Sequence, residues 1–489
     1  MKSLCKKILA LSPGTFVFIV LILFYFFLWF VNPGNKIIAV SFLALIGIFF
    51  LRFKNLKLSL AISYLASQLI FTGKQYLFEI IPPGVFPRIM YPEGNVLSLN
   101  ITPQNIMAVL LVFVLIRDIF IRGIKKINFQ KIDVLVIFFF LWPVIADWSS
   151  SLRPEVSTLF SLQNLLTLVA YIYFKNCFSI SSRRSGTDKI IVSILIAVIV
   201  SQIALESTAA VQQFVHNSPM VKNIENLVNT DPEFFSNASD DTGFRYRPAG
   251  TFPHTNYLGM EMAFRLLVLL PFLFQRERVH LIYPFFAGLI ILMLTLSRSA
   301  WIGFAGGAIF CLFIIEKIKK IKTPPFFSKN ALSVGILAII IIFTFIVPRA
   351  ENSLYTFTQG GWSLRQKQIE DTLSLIVQNP IFGVGTGMNI LAGLKLSNQS
   401  VFATEALSVH NWFLLTAAEN GLPTLLFFTI FLFIKLRKIF FSVTSRVVNN
   451  LILLRTGIFC GILSLLTVGI FQPFIDPGLM LIFLAILEG

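Results

Sequence analysis

The chain has 489 residues, 56% of them hydrophobic, with a net charge of +17 and a mean hydropathy of +0.80. Charged residues make up 13%, about half the share of an ordinary soluble domain. That excludes a globular soluble enzyme, which could not hide so much apolar surface, and it excludes disorder. The fold class that remains is an all-α, polytopic membrane helix bundle.

The first residues, Met1-Lys2-Ser3-Leu4-Cys5-Lys6-Lys7, resemble the basic start of a signal peptide. No small-residue cleavage site follows the apolar run 14–31, so that run reads as an uncleaved first span. Further apolar runs at 37–51, 58–72, 104–121, 132–147, 156–174 and 190–210 complete an N-terminal bundle over 1–210. A polar segment, 211–255, interrupts the pattern before spans at 256–274, 281–297, 299–316 and 331–347. A second polar segment, 348–420, precedes spans at 421–435, 451–470 and 476–487. The spacing thus predicts about 12–14 transmembrane helices in five stretches, 1–210, 211–255, 256–347, 348–420 and 421–489. No internal repeat is visible, which counts against many transporter folds.

Lys and Arg set the orientation. With the N-terminus in the cytoplasm, about 27 lie on the inner side and about 12 on the outer side, with Arg265 inside a span. The two long polar segments then face the outer side. The +17 is therefore a topological signal and a contact with anionic lipids, and it does not point to nucleic acid.

Four groups on the outer face carry possible chemistry. Arg298 sits in Leu296-Ser297-Arg298-Ser299-Ala300-Trp301, between two spans with almost no loop. It reads either as an arginine snorkelling to the headgroups or as an anion site steadied by the neighbouring serines. Arg365 opens an amphipathic stretch with Leu364, Ile369, Leu373, Ile376 and Val377, predicted as a helix with Ser363 as its cap. His410 lies in His410-Asn411-Trp412-Phe413, within a helix predicted over 404–420 that Gly421 ends, with Pro423 opening the next span. Its ordinary pKa suits a general base. Arg245 and Arg247 lead into Gly250 and Asn256, a turn-rich stretch suited to anion or glycan binding. Glu261 and Arg265, four residues apart in a span, predict an internal ion pair. No His-x-x-x-His or Cys-x-x-Cys spacing occurs, and neither a metal nor a cofactor is expected. On an outer face without nucleotide sugars, an activated donor must arrive on lipid. Fixed arginines can stabilise a diphosphate leaving group there, and a histidine can deprotonate an acceptor hydroxyl.

Four motifs in this order resemble the O-antigen ligase/O-antigen polymerase superfamily of bacterial inner-membrane glycosyltransferases. They are Arg247-Pro248-Ala249-Gly250-Thr251-Phe252-Pro253-His254-Thr255-Asn256, Leu296-Ser297-Arg298-Ser299-Ala300-Trp301, Asn379-Pro380-Ile381-Phe382-Gly383-Val384-Gly385-Thr386-Gly387, and His410-Asn411-Trp412-Phe413-Leu414 with Gly421 seven residues on. The resemblance covers roughly 245–435. It implies metal-independent transfer of a glycan from undecaprenyl diphosphate to lipid A-core or to another lipid-linked glycan. On the same carry-over Arg298 and Arg365 hold the diphosphate, His410 is the base, and Arg245, Arg247, Asn256 and Asn411 support the substrates. The wide spacing from Arg365 to Gly383 favours a ligase over a polymerase, whose arginine lies closer to its glycine. A lipid-linked oligosaccharide flippase is the rival from another class. The transfer reading expects Arg298, Arg365 and His410 around one cavity.

Overall fold

In the computed structural model, the described residues are 11–31, 34–69, 74–79, 96–123, 127–179, 187–218, 247–317, 362–396, 400, 408–443, 449–473 and 476–488. The predicted span at 331–347 and Arg245 lie outside them. The elements in chain order are α1 (Pro13–Val31), α2 (Asn35–Phe53), α3 (Leu56–Ser67), β1 (Lys74–Glu79), β2 (Val96–Ile101), α4 (Pro103–Arg122), α5 (Asp133–Ser150), α6 (Pro154–Ser179) and α7 (Thr187–His216). They continue with α8 (Thr255–Leu269), α9 (Ile282–Leu294), α10 (Arg298–Lys317), α11 (Trp362–Gln378), the short α12 (Asn389–Gly393), α13 (Trp412–Val443), α14 (Asn450–Phe471) and α15 (Pro477–Glu488).

Helix ends follow the local chemistry. Asn55, Thr102 and Asn449 place side-chain oxygens on the first free N–H groups of α3, α4 and α14. Among the described residues ten helices are long and apolar enough to cross a membrane. The chain is a multi-pass, all-α membrane protein. Two expectations change. The spans predicted at 58–72 and 476–487 are helices of only 12 residues each, about 18 Å long, which is too short to cross alone. Beyond the first, β1 and β2 pair antiparallel, with Lys74 opposite Ile101 and Glu79 opposite Val96.

The helices at the centre are buried on nearly every side and are mostly apolar, the charges of α8 being paired as Glu261 with Arg265. Every residue of α8 from Leu258 to Leu269 is buried, and α14 packs along it. A side chain at Gly457 of α14 would strike the Val268 carbonyl of α8 at 2.6 Å, so glycine sets this close approach. The flanking helices instead expose large apolar side chains, including Phe30 at 72% and Phe120 at 85%. In water these would be an aggregation surface, whereas in lipid they are the expected exterior. At the end of the bundle away from the site, Asp133 of α5 meets Lys175 of α6 at 2.5 Å and Lys435 of α13 at 3.6 Å. The Tyr171 hydroxyl donates to the same carboxylate.

Candidate functional site

The site is built from four turns at one end of the bundle. The first turn is locked by α7. The Gln213 side-chain oxygen accepts from the Ala249 and Gly250 N–H groups, and its amide donates back to the Gly250 carbonyl. Glu206 accepts from the Thr251 N–H and hydroxyl. Held this way, Arg247 reaches two partners. Its Nε donates to the Thr295 carbonyl at 2.9 Å, and its Nη2 donates to Asn256 Oδ1 at 3.1 Å. Asn256 Nδ2 donates to Gln472 Oε1, whose amide donates on to Ser299 Oγ. Two motifs more than 40 residues apart are thereby stitched to each other and to the end of α14. Arg298, exposed between Ser297 and Ser299, is the first residue of the 20-residue α10. The positive end of the helix macrodipole and the guanidinium both favour an anion at this position.

The second group joins α11 to the His410 turn. The apolar positions of α11 divide between two faces. Ile376 is buried with Gln368, Thr372 and Leu375 against the protein, while Ile369, Leu373 and Val377 stay exposed. Trp362 opens the helix, so Ser363 lies within it. Gln368 is one turn beyond Arg365 and 1% exposed, and its Oε1 lies 3.2 Å from His410 Nδ1. An amide oxygen can only accept, so Nδ1 carries the proton and Nε2 keeps its lone pair. Burial, together with the Arg365 charge, pushes the His410 pKa down to about 4. The imidazole is therefore neutral at ordinary pH. His410 is not within a helix as the sequence implied. It precedes α13, whose N-terminal N–H of Leu414 is capped by Asn411 Oδ1 at 3.0 Å.

The third group explains the three spaced glycines. Gly421 has φ +80° and ψ 162°, a conformation essentially restricted to glycine, and it breaks α13. Leu422 N–H turns away to the Pro380 carbonyl, and Pro423 has no N–H. The carbonyls of Ala418 and Glu419 thus lose their helical donors. They accept instead from Val384 and Gly385 N–H, each at 2.9 Å. A side chain at Gly383 would strike the Glu419 carbonyl at 2.3 Å. Asp147 of α5 accepts from the Thr386 N–H at 2.7 Å and from the Ser161 hydroxyl. The Glu419 carboxyl accepts from Gly387 and Asn389 N–H, and burial lifts its pKa to about 8.

His254 links the Arg247 and His410 groups. Its Nδ1 accepts from the Asn256 N–H at 3.0 Å, capping α8. Burial, the Arg247 guanidinium and His410 push its pKa down to about 4. Arg247 and His410 thus act on His254, and Arg365 acts on His410, each disfavouring the charged imidazole. A cavity of about 380 Å³ lies beside the site, lined by Trp412, Tyr257, Asn164, Thr386, Glu419 and Asp476 among others, and Arg298, Arg365 and His410 are not in its wall.

Sequence reasoning passed over Gln368, Gln472 and Glu419 and gave His254 no role in catalysis. Gln368 had a signal, because it follows Arg365 by three residues on one helix face. Glu419 had one too, as an acid in an apolar segment. Gln472 had none, since its contacts cross more than 170 residues.

The fold and this polar end define a multi-pass membrane protein with a histidine and several arginines gathered at one end of the bundle. A family model described as O-antigen ligase matches residues 283–429. Over that stretch, which holds three of the four motifs, the chain is similar to that family. No curated protein matches the chain.

Proposed function

We propose that the chain transfers a glycan from undecaprenyl diphosphate to an acceptor hydroxyl at the periplasmic face of the bacterial inner membrane, with lipid A-core as acceptor. A membrane glycosyltransferase function is what the O-antigen ligase match supports. The observation that carries the chemistry is His410 Nδ1 at 3.2 Å from the buried Gln368 Oε1, one helical turn from Arg365, an arrangement that fits a neutral His410 whose Nδ1 proton Gln368 holds. In this reading Arg365 and Arg298 hold the donor diphosphate, and Arg247, braced by Asn256, adds a supporting charge. Asn411 serves the same face by fixing the start of α13, and Arg245, outside the described residues, is assigned to substrate binding by its motif alone.

The acceptor O–H attacks the anomeric carbon of the lipid-linked sugar. His410 Nε2 takes the hydroxyl proton as the new C–O bond forms. The bond to the diphosphate oxygen breaks, and its electron pair leaves with undecaprenyl diphosphate. The arginines stabilise that charge more in the transition state than in the ground state, where it is partly shared with the sugar. Their fixed guanidinium groups supply what a divalent metal would otherwise supply. The stretches 1–210 and 421–489 scaffold the site, 256–347 presents Arg298, and 211–255 and 348–420 form its periplasmic face. The clusters Arg52/Lys54/Lys57 and Lys435/Arg437/Lys438 support an N-terminus in the cytoplasm.

A repeat-unit polymerase would use the same chemistry with a second lipid-linked glycan as acceptor. A flippase would need buried charges left open to a path. Here Glu206 is closed by Thr251, and Glu261 by Arg265 at 2.6 Å. Complementation of a strain lacking its ligase, read as a lipopolysaccharide ladder, tests the reading. Wild type restores the ladder, while well-expressed His410→Ala, Arg298→Ala and Arg365→Ala leave polymer on undecaprenyl diphosphate. Single repeat units on the core would instead identify the polymerase, and a normal ladder from all three variants would refute the chemistry.

A further inference from the structure

The cavity of about 380 Å³ has no part in the chemistry above. It lies between α5, α6, α13 and the start of α15, and Trp412 in its wall is two residues from His410. Among the described residues the cavity walls hold no Lys or Arg, so a diphosphate meets no described counter-charge there. They are not apolar enough for a lipid chain either. The Asn164 amide and the hydroxyls of Thr167 and Thr416 line the cavity, and among the described residues none has a hydrogen-bond partner. Polar groups inside a membrane bundle are costly when left unmet. The two carboxyls in the wall are already positioned by backbone donors, Glu419 by Gly387 and Asn389 and Asp476 by Leu479 and Gly478. Beside these acceptors stand the rings of Trp412 and Tyr257, each with an apolar face and a polar edge. Unmet hydroxyls and an amide, carboxyl acceptors and aromatic rings around a small volume match the mixed character of a pyranose, whose hydroxyls need partners and whose C–H face needs an apolar surface.

We propose that this cavity is a saccharide subsite that receives one neutral sugar ring of the acceptor next to His410, an inference that rests on the transfer function proposed above. Its size falls at the lower end of the range for small-molecule sites, about 300–1,000 Å³, which suits one or two rings and not a polymer. Asn164 and Thr416 supply the hydrogen bonds that the ring hydroxyls meet.

The test uses the full chain in lipid nanodiscs and four probes, the methyl glycosides of glucose, galactose, mannose and N-acetylglucosamine. Saturation-transfer difference NMR reads contact between probe and protein. At least one glycoside is expected to receive saturation, with the signal reduced about fivefold by Asn164→Leu and lowered by the near-isosteric Thr416→Val. Arg365→Ala should leave it unchanged. Size-exclusion profiles confirm that each variant is folded, and Asn164 has no described hydrogen bond to lose. No signal for any glycoside in the wild type means a water-filled void and overturns the proposal, as does an equal signal in Asn164→Leu. Transfer assays on the same samples separate the two readings. Asn164-dependent binding alongside normal transfer by His410→Ala and Arg365→Ala would keep the subsite and remove the proposed chemistry. Loss of transfer in those variants with Asn164-independent binding would remove the subsite alone.

Discussion

Gln368→Leu removes the acceptor of the His410 Nδ1 proton while roughly keeping the side-chain volume in a buried position. The imidazole N–H then has no partner inside the protein, and the ring is free to rotate or change tautomer. A buried donor left unmet costs about 1–3 kcal/mol. At about 1.4 kcal/mol per tenfold, the loss in kcat lies between about 5-fold and 150-fold. The diphosphate is held by the arginines, so the donor KM should stay nearly constant. Gln368→Glu is the informative companion. Its carboxylate can still accept from Nδ1 and favours the imidazolium, so it should preserve most of kcat and raise the pKa of His410. Both variants would be assayed as purified full chain in nanodiscs with saturating lipid-linked donor and lipid A-core. A Gln368→Leu enzyme with unchanged kcat, or one whose defect is confined to the donor KM, would refute the positioning role. Equal damage from Leu and Glu would show that the position matters only for packing.

The pH profile follows from the same pair. The base works when neutral, so activity is present above its pKa and lost as pH falls through it. In the free enzyme that pKa is about 4, so kcat/KM should hold down to about pH 5 before falling. The dianionic donor beside Arg365 favours the imidazolium, so the acid limb of kcat should lie above that of kcat/KM. A kcat/KM limb at the ordinary histidine value would contradict the buried, Arg365-coupled geometry. Dialysis against EDTA should leave transfer rates unchanged, and a loss restored by a divalent cation would show that the arginines do not suffice. Gly421→Ala forces a Cβ to 2.0 Å from the Ile381 carbonyl in a conformation that costs about 1–3 kcal/mol for other residues. It should lower the thermal unfolding midpoint in detergent and the activity together, and an unchanged midpoint would count against the break in α13 as the element that holds the glycine loop.

Most of the bundle was legible because lipid imposes one simple requirement, a long apolar helix. The runs at 104–121, 190–210 and 451–470 became α4, α7 and α14 with small shifts at their ends. The break at Gly421 and Pro423 was legible too, since both residues act through the backbone. What the sequence hid was long-range. The carbonyls freed by that break are met by Val384 and Gly385, and Asp147 reaches Thr386 across 239 residues. No local pattern encodes such pairings. The start of α13 was misread because residues 404–420 carry a helical pattern, whereas Asn411 caps at the later position. The amphipathic reading of α11 found the helix and assigned its apolar residues to one face, while the structure divides them between the protein and the exterior. Arg247, Arg365 and His410 were singled out from the sequence, and the structure gives Arg247 and His410 the side-chain partners Asn256 and Gln368. The sequence showed His254 only as part of a turn, whereas in the fold it caps α8 through the Asn256 N–H and lies near enough to Arg247 and His410 for both to lower its pKa.

The central claim is tested most directly by reconstituted transfer. Purified full chain in nanodiscs is given an undecaprenyl-diphosphate-linked glycan and lipid A-core, and the product is followed by mass spectrometry. The account predicts glycan on lipid A-core and released undecaprenyl diphosphate in equal amounts, with His410→Ala reducing the rate by about 100-fold or more. Transfer at an unchanged rate by folded His410→Ala, or none by the wild type with either lipid A-core or a second lipid-linked glycan as acceptor, would contradict it.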